Sequence, residues 1–213
     1  MSAQKGIGRQ VQLGIAKETT RGTSPASPTY YLAWAEGLLE EKYDNAVDIE
    51  AFGVIEDSVS MTRVKNWAES VLKIPVLDKS FPLFFLSLLG TDTPALHSGE
   101  TVVYDHPMTV LQTPQHPTFS MYIHDILAGQ DYSHANCVVK KMEIDYALKK
   151  FIDASITIIG QKGVQISALT PSQVAENRFV PQYLTFKQAS ALSGLNSASA
   201  TQVKSLKLTI DQN

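Results

Sequence analysis

The sequence predicts a mainly β fold: an antiparallel β-sandwich or barrel with a long hairpin and one short flanking helix. Three observations predict it. Six segments alternate apolar and polar residues with period two, turn-forming residues separate them, and one stretch reads as a clear helix.

The longest alternation runs from Val47 to Met61. Val47, Ile49, Ala51, Gly53, Ile55, Val59 and Met61 share one face, while Asp48, Glu50, Glu56, Ser58 and Ser60 share the other. Phe52 and Val54 interrupt the polar side. This pattern reads as one half-buried strand bent at Gly53. Typical strands have about 5–6 residues, so a strand this long suits a hairpin reaching beyond a core. Shorter alternations cover 67–76, 118–124, 138–148, 152–159 and 205–210.

The helix lies in the apolar run Phe81 to Leu89. Ser80 is placed to cap it, Pro82 falls in the first turn where its missing N–H costs nothing, and Gly90 ends it. The run has nine residues, whereas a membrane-spanning helix needs about twenty. It therefore reads as a short buried helix, with no membrane partner expected. Residues 1–30 are rich in Gly, Ser, Thr and Pro and read as an extended N-terminal arm or long loop, with a short strand possible at Val11 to Ile15. Residues 169–177 read as a weak helix or a loop, and 190–202 as a loop. The whole chain, 1–213, reads as a single domain.

Composition narrows the function. Hydrophobic residues make up 44% and charged residues 18%, which suits a folded domain and not a disordered one. A net charge of −3 supplies no global basic field for nucleic acid or an anionic membrane. The single Cys137 rules out an intrachain disulfide and fits a protein made in a reducing cytoplasm. The first residues lack the apolar core of a secretory signal. Charge is also uneven. Glu36 to Asp57 carries eight carboxylates against Lys42 alone, a local net of −7. Such a surface is either a plain solvated face or one that must repel something negative.

Motifs for chemistry are missing. The five histidines show no i,i+4 pairing and no H-E-x-x-H, so no metal site is expected. Ser70-Val71-Leu72-Lys73 matches S-x-x-K, but it lies on a strand-like stretch without the partner motifs. Gly6-Ile7-Gly8 has no preceding strand and no third glycine, so it implies no phosphate cradle. Glu40-Glu41 and Glu56-Asp57 point to opposite faces of a strand and converge on nothing. No catalytic residue and no cofactor are expected; an enzyme would need a site assembled only in space.

Several segments, in order, resemble the tail tube (major tail) proteins of long, non-contractile-tailed bacteriophages. Leu13 to Pro25 (LGIAKETTRGTSP) resembles their N-terminal segment, and residues 71–90 (VLKIPVLDKSFPLFFLSLLG) their strand, helix and closing LLG. HPTFSMYIHD (116–125), VVKKMEIDYALKKFIDASITIIG (138–160) and VKSLKLTID (203–211) resemble later strands. Two departures stand out. His134-Ala135-Asn136 replaces a turn that usually contains glycine, and Asn tolerates the left-handed conformation that turn needs. Many relatives also continue past the strand matching 203–211, close to where this chain stops.

The resemblance implies a tail-tube-like fold that assembles as hexameric rings stacked into a hollow tube. The hairpins would join into one inner barrel through which DNA passes without specific binding. Asp48, Glu50 and Glu56 are then candidates for a lumen-facing acidic strand, because like charge keeps phosphates from sticking. Glu18, Thr20, Arg21 and Thr23 are candidates for an inter-ring arm. Partners would be further copies of the chain and other tail proteins: tape measure, terminator, and baseplate or tip. The location would be the virion tail, with the host cytoplasm during assembly. The alternatives are a tail terminator or head–tail adaptor, a tube protein of a contractile or type VI secretion system, and a β-barrel binding a small apolar ligand.

Overall fold

The computed structural model describes residues 10–48, 60–126 and 130–212. Fifteen strands and one α-helix are formed there. In chain order the strands are β1 (Gln12–Lys17), β2 (Tyr30–Leu32), β3 (Glu40–Asp48) and β4 (Ser60–Pro75). The helix α1 (Pro82–Leu89) follows, then β5 (Gly90–Asp92), β6 (Ala95–Leu96), β7 (Tyr104–Asp105), β8 (Met108–Val110) and β9 (Phe119–Asp125). Next come β10 (Gln130–Ala147), β11 (Asp153–Gly160), β12 (Val164–Ile166), β13 (Phe186–Lys187), β14 (Ala200–Thr201) and β15 (Ser205–Asp211). The mainly β, antiparallel fold expected from the alternation is the fold observed.

Two sheets share β10. The first has the order β2-β1-β9-β10-β12 and the second β3-β4-β11-β10-β15, with every pairing antiparallel. The change of sheet happens inside β10. His134 pairs with Met121 and Cys137 with Phe119, so the register slips between them. Asn136 sits in this bulge with φ 52. A bulge bends a strand and increases its twist, and Asn tolerates positive φ better than most residues. The departure His134-Ala135-Asn136 thus takes the left-handed conformation anticipated for it, though as a bulge within one strand and not as a turn before it.

The core lies between the sheets. Leu13, Ile15, Met121, Met142, Ile156 and Ile158 are each 0% exposed and fill the space from β1, β9, β10 and β11. Burying one such side chain contributes about 1.5–3 kcal/mol. Helix α1 covers the same core: Phe84 is fully buried and meets Phe119 edge-on, with ring centroids 5.6 Å apart. Ser87 Oγ, buried beside it, accepts the Val139 N–H at 3.3 Å. Gly90 closes α1 at φ 99, and its N–H reaches Leu86 O, the expected left-handed cap.

Three expectations need correction. The N-cap position of α1 falls on Phe81 and no side chain caps it; Ser80 instead donates its N–H and its hydroxyl to Glu176, at 2.5 and 3.1 Å. Within residues 10–30 the short strand expected at Val11 to Ile15 forms as β1, but it lies inside the first sheet between β2 and β9, with Leu13 and Ile15 in the core, and not in an extended arm. Val47 and Met61 do not end one strand. They are cross-strand partners in the antiparallel pair β3–β4, so the chain reverses between Asp48 and Ser60. Residues 169–177 form a loop, tied down by Lys79 Nζ on Ala175 O (2.6 Å) and by Asn177 on Asp78.

Candidate assembly interface

The β3–β4 hairpin is where the fold outgrows its core. Its base is buried: Ala68 and Leu72 of β4 are 0% and 1% exposed. Beyond the base, residues 41–47 and 60–66 are exposed one after another, on both faces. The hairpin carries apolar residues into solvent: Tyr43 is 54% exposed, Val47 51%, Met61 67% and Val64 63%. Such a run of exposed apolar residues on a two-stranded ribbon is the mark of a surface that expects a partner. Among the described residues the outer edge of β3 is also the end of its sheet, with no further strand along it.

Register decides the faces of the hairpin. Asp44 pairs with Lys65 and Asn45 with Arg63, which leaves Val64 as an extra bulged residue. Tyr43 and Arg63 therefore share a face, and the Arg63 guanidinium lies 4.3 Å from the Tyr43 ring centroid. Lys65 and Trp67 share the opposite face, with the ammonium 4.7 Å from the indole centroid. Lys42 and Glu40 pair at 3.0 Å on that same side. The entry to the hairpin is fixed by Gly37 at φ 92, where an added Cβ would lie 2.0 Å from Val71 O.

That charged side continues across the second sheet as its outer face. Glu143 on β10 holds Lys141 at 2.8 Å and Lys207 of β15 at 2.9 Å. Hydrogen bonds from these two ammonium groups pull the Glu143 carboxyl down to about 2. Lys73 pairs with Glu36, and Asp153 with Arg178 at 2.6 Å. Within the described residues the face is a mosaic of paired charges and not a uniformly acidic wall. Of the three lumen candidates, Asp48 sits opposite Ser60 in the register, while Glu50 and Glu56 lie outside the described residues.

The first sheet is different, because loops cover its outer side. Glu18, the first of the four arm candidates, is only 6% exposed. Its carboxylate accepts hydrogen bonds from Thr118 Oγ1 (2.5 Å), Ser120 Oγ (2.7 Å), the Asn136 N–H (2.7 Å) and the Gly22 N–H (2.7 Å). Burial works to raise its pKa, but these four donors outweigh burial and hold it below the ordinary value. Glu18 thus pins the turn at 18–23 to the β10 bulge. Thr20, Arg21 and Thr23 stay exposed on that turn. Arg21 reaches Asn136 Oδ1 at 3.0 Å and Gln115 Oε1 at 2.8 Å. Tyr122 and Asp131 form a second buried polar set under the loops. The Tyr122 hydroxyl donates to Pro25 O at 2.6 Å, and Asp131 accepts from the Leu169 N–H at 2.5 Å and pairs with His124 at 2.6 Å. Sequence reasoning could not find these sets, since the partners stand up to 118 positions apart.

Among the described residues no group of three His, Cys, Asp or Glu side chains is placed to hold a metal. His97, His106 and His124 each face one carboxylate, those of Asp105, Asp92 and Asp131. Cys137 is fully buried, and burial pushes its thiol up to about 12, so it is not a nucleophile.

Several solved structures are similar to the chain at low identity. The chain is similar to a chain of an extracellular contractile injection system, the PVC sheath–tube complex in its extended state. Identity is 10%, the TM-score is 0.44, and the match covers 76% of this chain and 91% of that one. It is similar also to a chain of the anti-feeding prophage cap (8% identity, TM-score 0.43, covering 79% and 95%). A chain of the anti-feeding prophage baseplate matches at 7% identity and TM-score 0.43, covering 78% and 98%. No curated protein matches the chain. The model of the phage tail tube protein family matches residues 8–213, nearly the whole sequence: this chain belongs to the phage tail tube proteins, a family of structural proteins and not of enzymes.

Proposed function

We propose that the protein is the tail tube subunit of a long, non-contractile phage tail, that it assembles into hexameric rings, and that the rings stack into a hollow tube for DNA. The observation that carries this reading is the β3–β4 hairpin, exposed on both faces and bearing Tyr43, Val47, Met61 and Val64. A second copy covering it would bury those side chains and give the open edge of β3 a partner. The charged outer face of the second sheet then lines the lumen, where paired charges and few apolar groups offer passing DNA little to hold. Tape measure, terminator and baseplate or tip proteins meet the tube at its core and ends, in the virion tail, after assembly in the host cytoplasm.

Two of the alternatives separate by assembly state. A terminator or adaptor stops at one ring, and a ligand-binding barrel remains a monomer. The last reading is disfavoured by the side chains that fill the space between the sheets. Sedimentation velocity of the purified protein over a concentration series tests the choice. Growth from monomer through rings to long polymers is expected at high concentration or on adding preformed tube ends; a monomer under every such condition would exclude the tube.

A further inference from the structure

The second sheet contains an inconsistency for a ring-former. Its five strands alternate in direction along β3-β4-β11-β10-β15. With an odd number of antiparallel strands the two outer ones, β3 and β15, run the same way. Repeating this sheet around an axis would set β15 of one copy beside β3 of the next in parallel. Strand β10, one position inward, runs opposite to β3 and would receive it antiparallel, the slightly stronger pairing.

Burial shows which strand can give way. Six of the seven residues of β15 are exposed, and only Ile210 is half-buried against the core. The β10 edge beneath it is anchored, with Met142 0% and Tyr146 9% exposed. Residues 169–179 are tethered to the sandwich, but from 180 to 204 the chain contains only two-residue strands and single 3-10 turns, so β15 can swing away on that stretch at the cost of the Gln212 side-chain bonds to Leu88 O and His116. Size fits the replacement. The edge offers seven paired positions, Lys141 to Ala147, and β3 has nine residues. The exchange gives up the Lys207–Glu143 ion pair, and the burial of the hairpin residues has to outweigh that loss.

From this we propose that β15 is a latch. In the free subunit it occupies the 141–147 edge of β10; on assembly it leaves, and β3 of a second copy of this chain takes its place, antiparallel. The exchange keeps the number of ladder pairs nearly constant and adds the burial of the apolar hairpin residues, so it is favourable only once a neighbour is present. A subunit so latched stays apart until a growing end offers its hairpin. The inference rests on the tube reading of the preceding section.

A cross-strand disulfide tests it. The bonds from Leu148 N–H to Lys204 O and from Gln212 N–H to Lys140 O make Ala147 and Ser205, which are partners, a non-hydrogen-bonded pair, where Cα atoms approach to about 4.5 Å. Ala147→Cys with Ser205→Cys should therefore bond without distortion, and buried Cys137 stays out of the exchange. Assembly followed by light scattering and electron microscopy should be at least tenfold slower for the oxidised variant and return on reduction. Leu208→Pro, which removes a ladder N–H from β15, should shorten the lag. If the oxidised variant assembles as fast as its reduced form, the latch is wrong while the tube reading stands. If the wild-type chain forms no rings under any condition, the tube reading falls and the latch with it.

Discussion

Glu18 accepts the backbone N–H of Asn136 at 2.7 Å, across 118 positions of the chain. That bond ties the first turn of the protein to the bulge where β10 passes from one sheet to the other. Hydrogen bonds to a charged acceptor contribute about 1.5–3 kcal/mol each when broken in a buried site. Glu18→Gln keeps the shape but loses the charge and brings two donors into a set of donors. A loss of about 2 kcal/mol is expected, read from urea unfolding.

The same carboxylate gives a pH signature. Its folded pKa lies below the ordinary carboxylate value of about 4.5, so its stabilisation is fully present above that value. It is lost as pH falls through the folded value. Wild-type stability should fall in that acid range, and Glu18→Gln should show a smaller fall. Equal slopes for the two proteins would mean that Glu18 is not the group responsible.

Gly37→Ala should destabilise the hairpin entry. The position combines φ 92 with a Cβ site 2.0 Å from Val71 O, so alanine is strained and also strikes backbone. A cost above about 2 kcal/mol is expected, with a lower thermal midpoint. An unchanged midpoint would show that the entry can adopt another path.

Met61→Lys separates folding from assembly. Met61 is 67% exposed, so monomer stability should stay within about 0.5 kcal/mol of wild type. Ring formation, which buries this residue in the proposed tube, should weaken at least tenfold. A variant that assembles normally would move the interface away from the hairpin.

Reversing Asp48, Glu50 and Glu56 to Lys should leave tubes intact and slow DNA ejection several-fold, most at low salt, where attraction to phosphate is strongest. Unchanged ejection at low salt would show that these residues do not face the DNA.

Much of the fold was legible in the sequence. Five of the six alternating segments fall on strands (β4, β9, β10, β11 and β15), and Gly90 marked the end of α1, because both signals are local. The hairpin reversal was not legible. Alternation is a local signal without direction, so the antiparallel pairing of Val47 with Met61 left no mark in it. The short strand at Val11 to Ile15 was legible and forms as β1, but the Gly, Ser, Thr and Pro around it hid its place inside the sheet, with Leu13 and Ile15 in the core. Ser80 read as a cap because Glu176, its true partner, is 96 positions away. The buried set around Glu18 had no local signal either. An acidic residue in a polar turn looks exposed, and only the fold brings Thr118 and Ser120 to it.

Electron microscopy of the purified protein, carried to a helical reconstruction, tests the central claim most directly. Stacked rings are expected, with the outer face of the second sheet, marked by Glu143 and Lys141, turned to the channel and the β3–β4 hairpin packed against the neighbouring copy. A monomer that persists even with preformed tube ends, or a tube whose channel is lined by the first sheet, would contradict it.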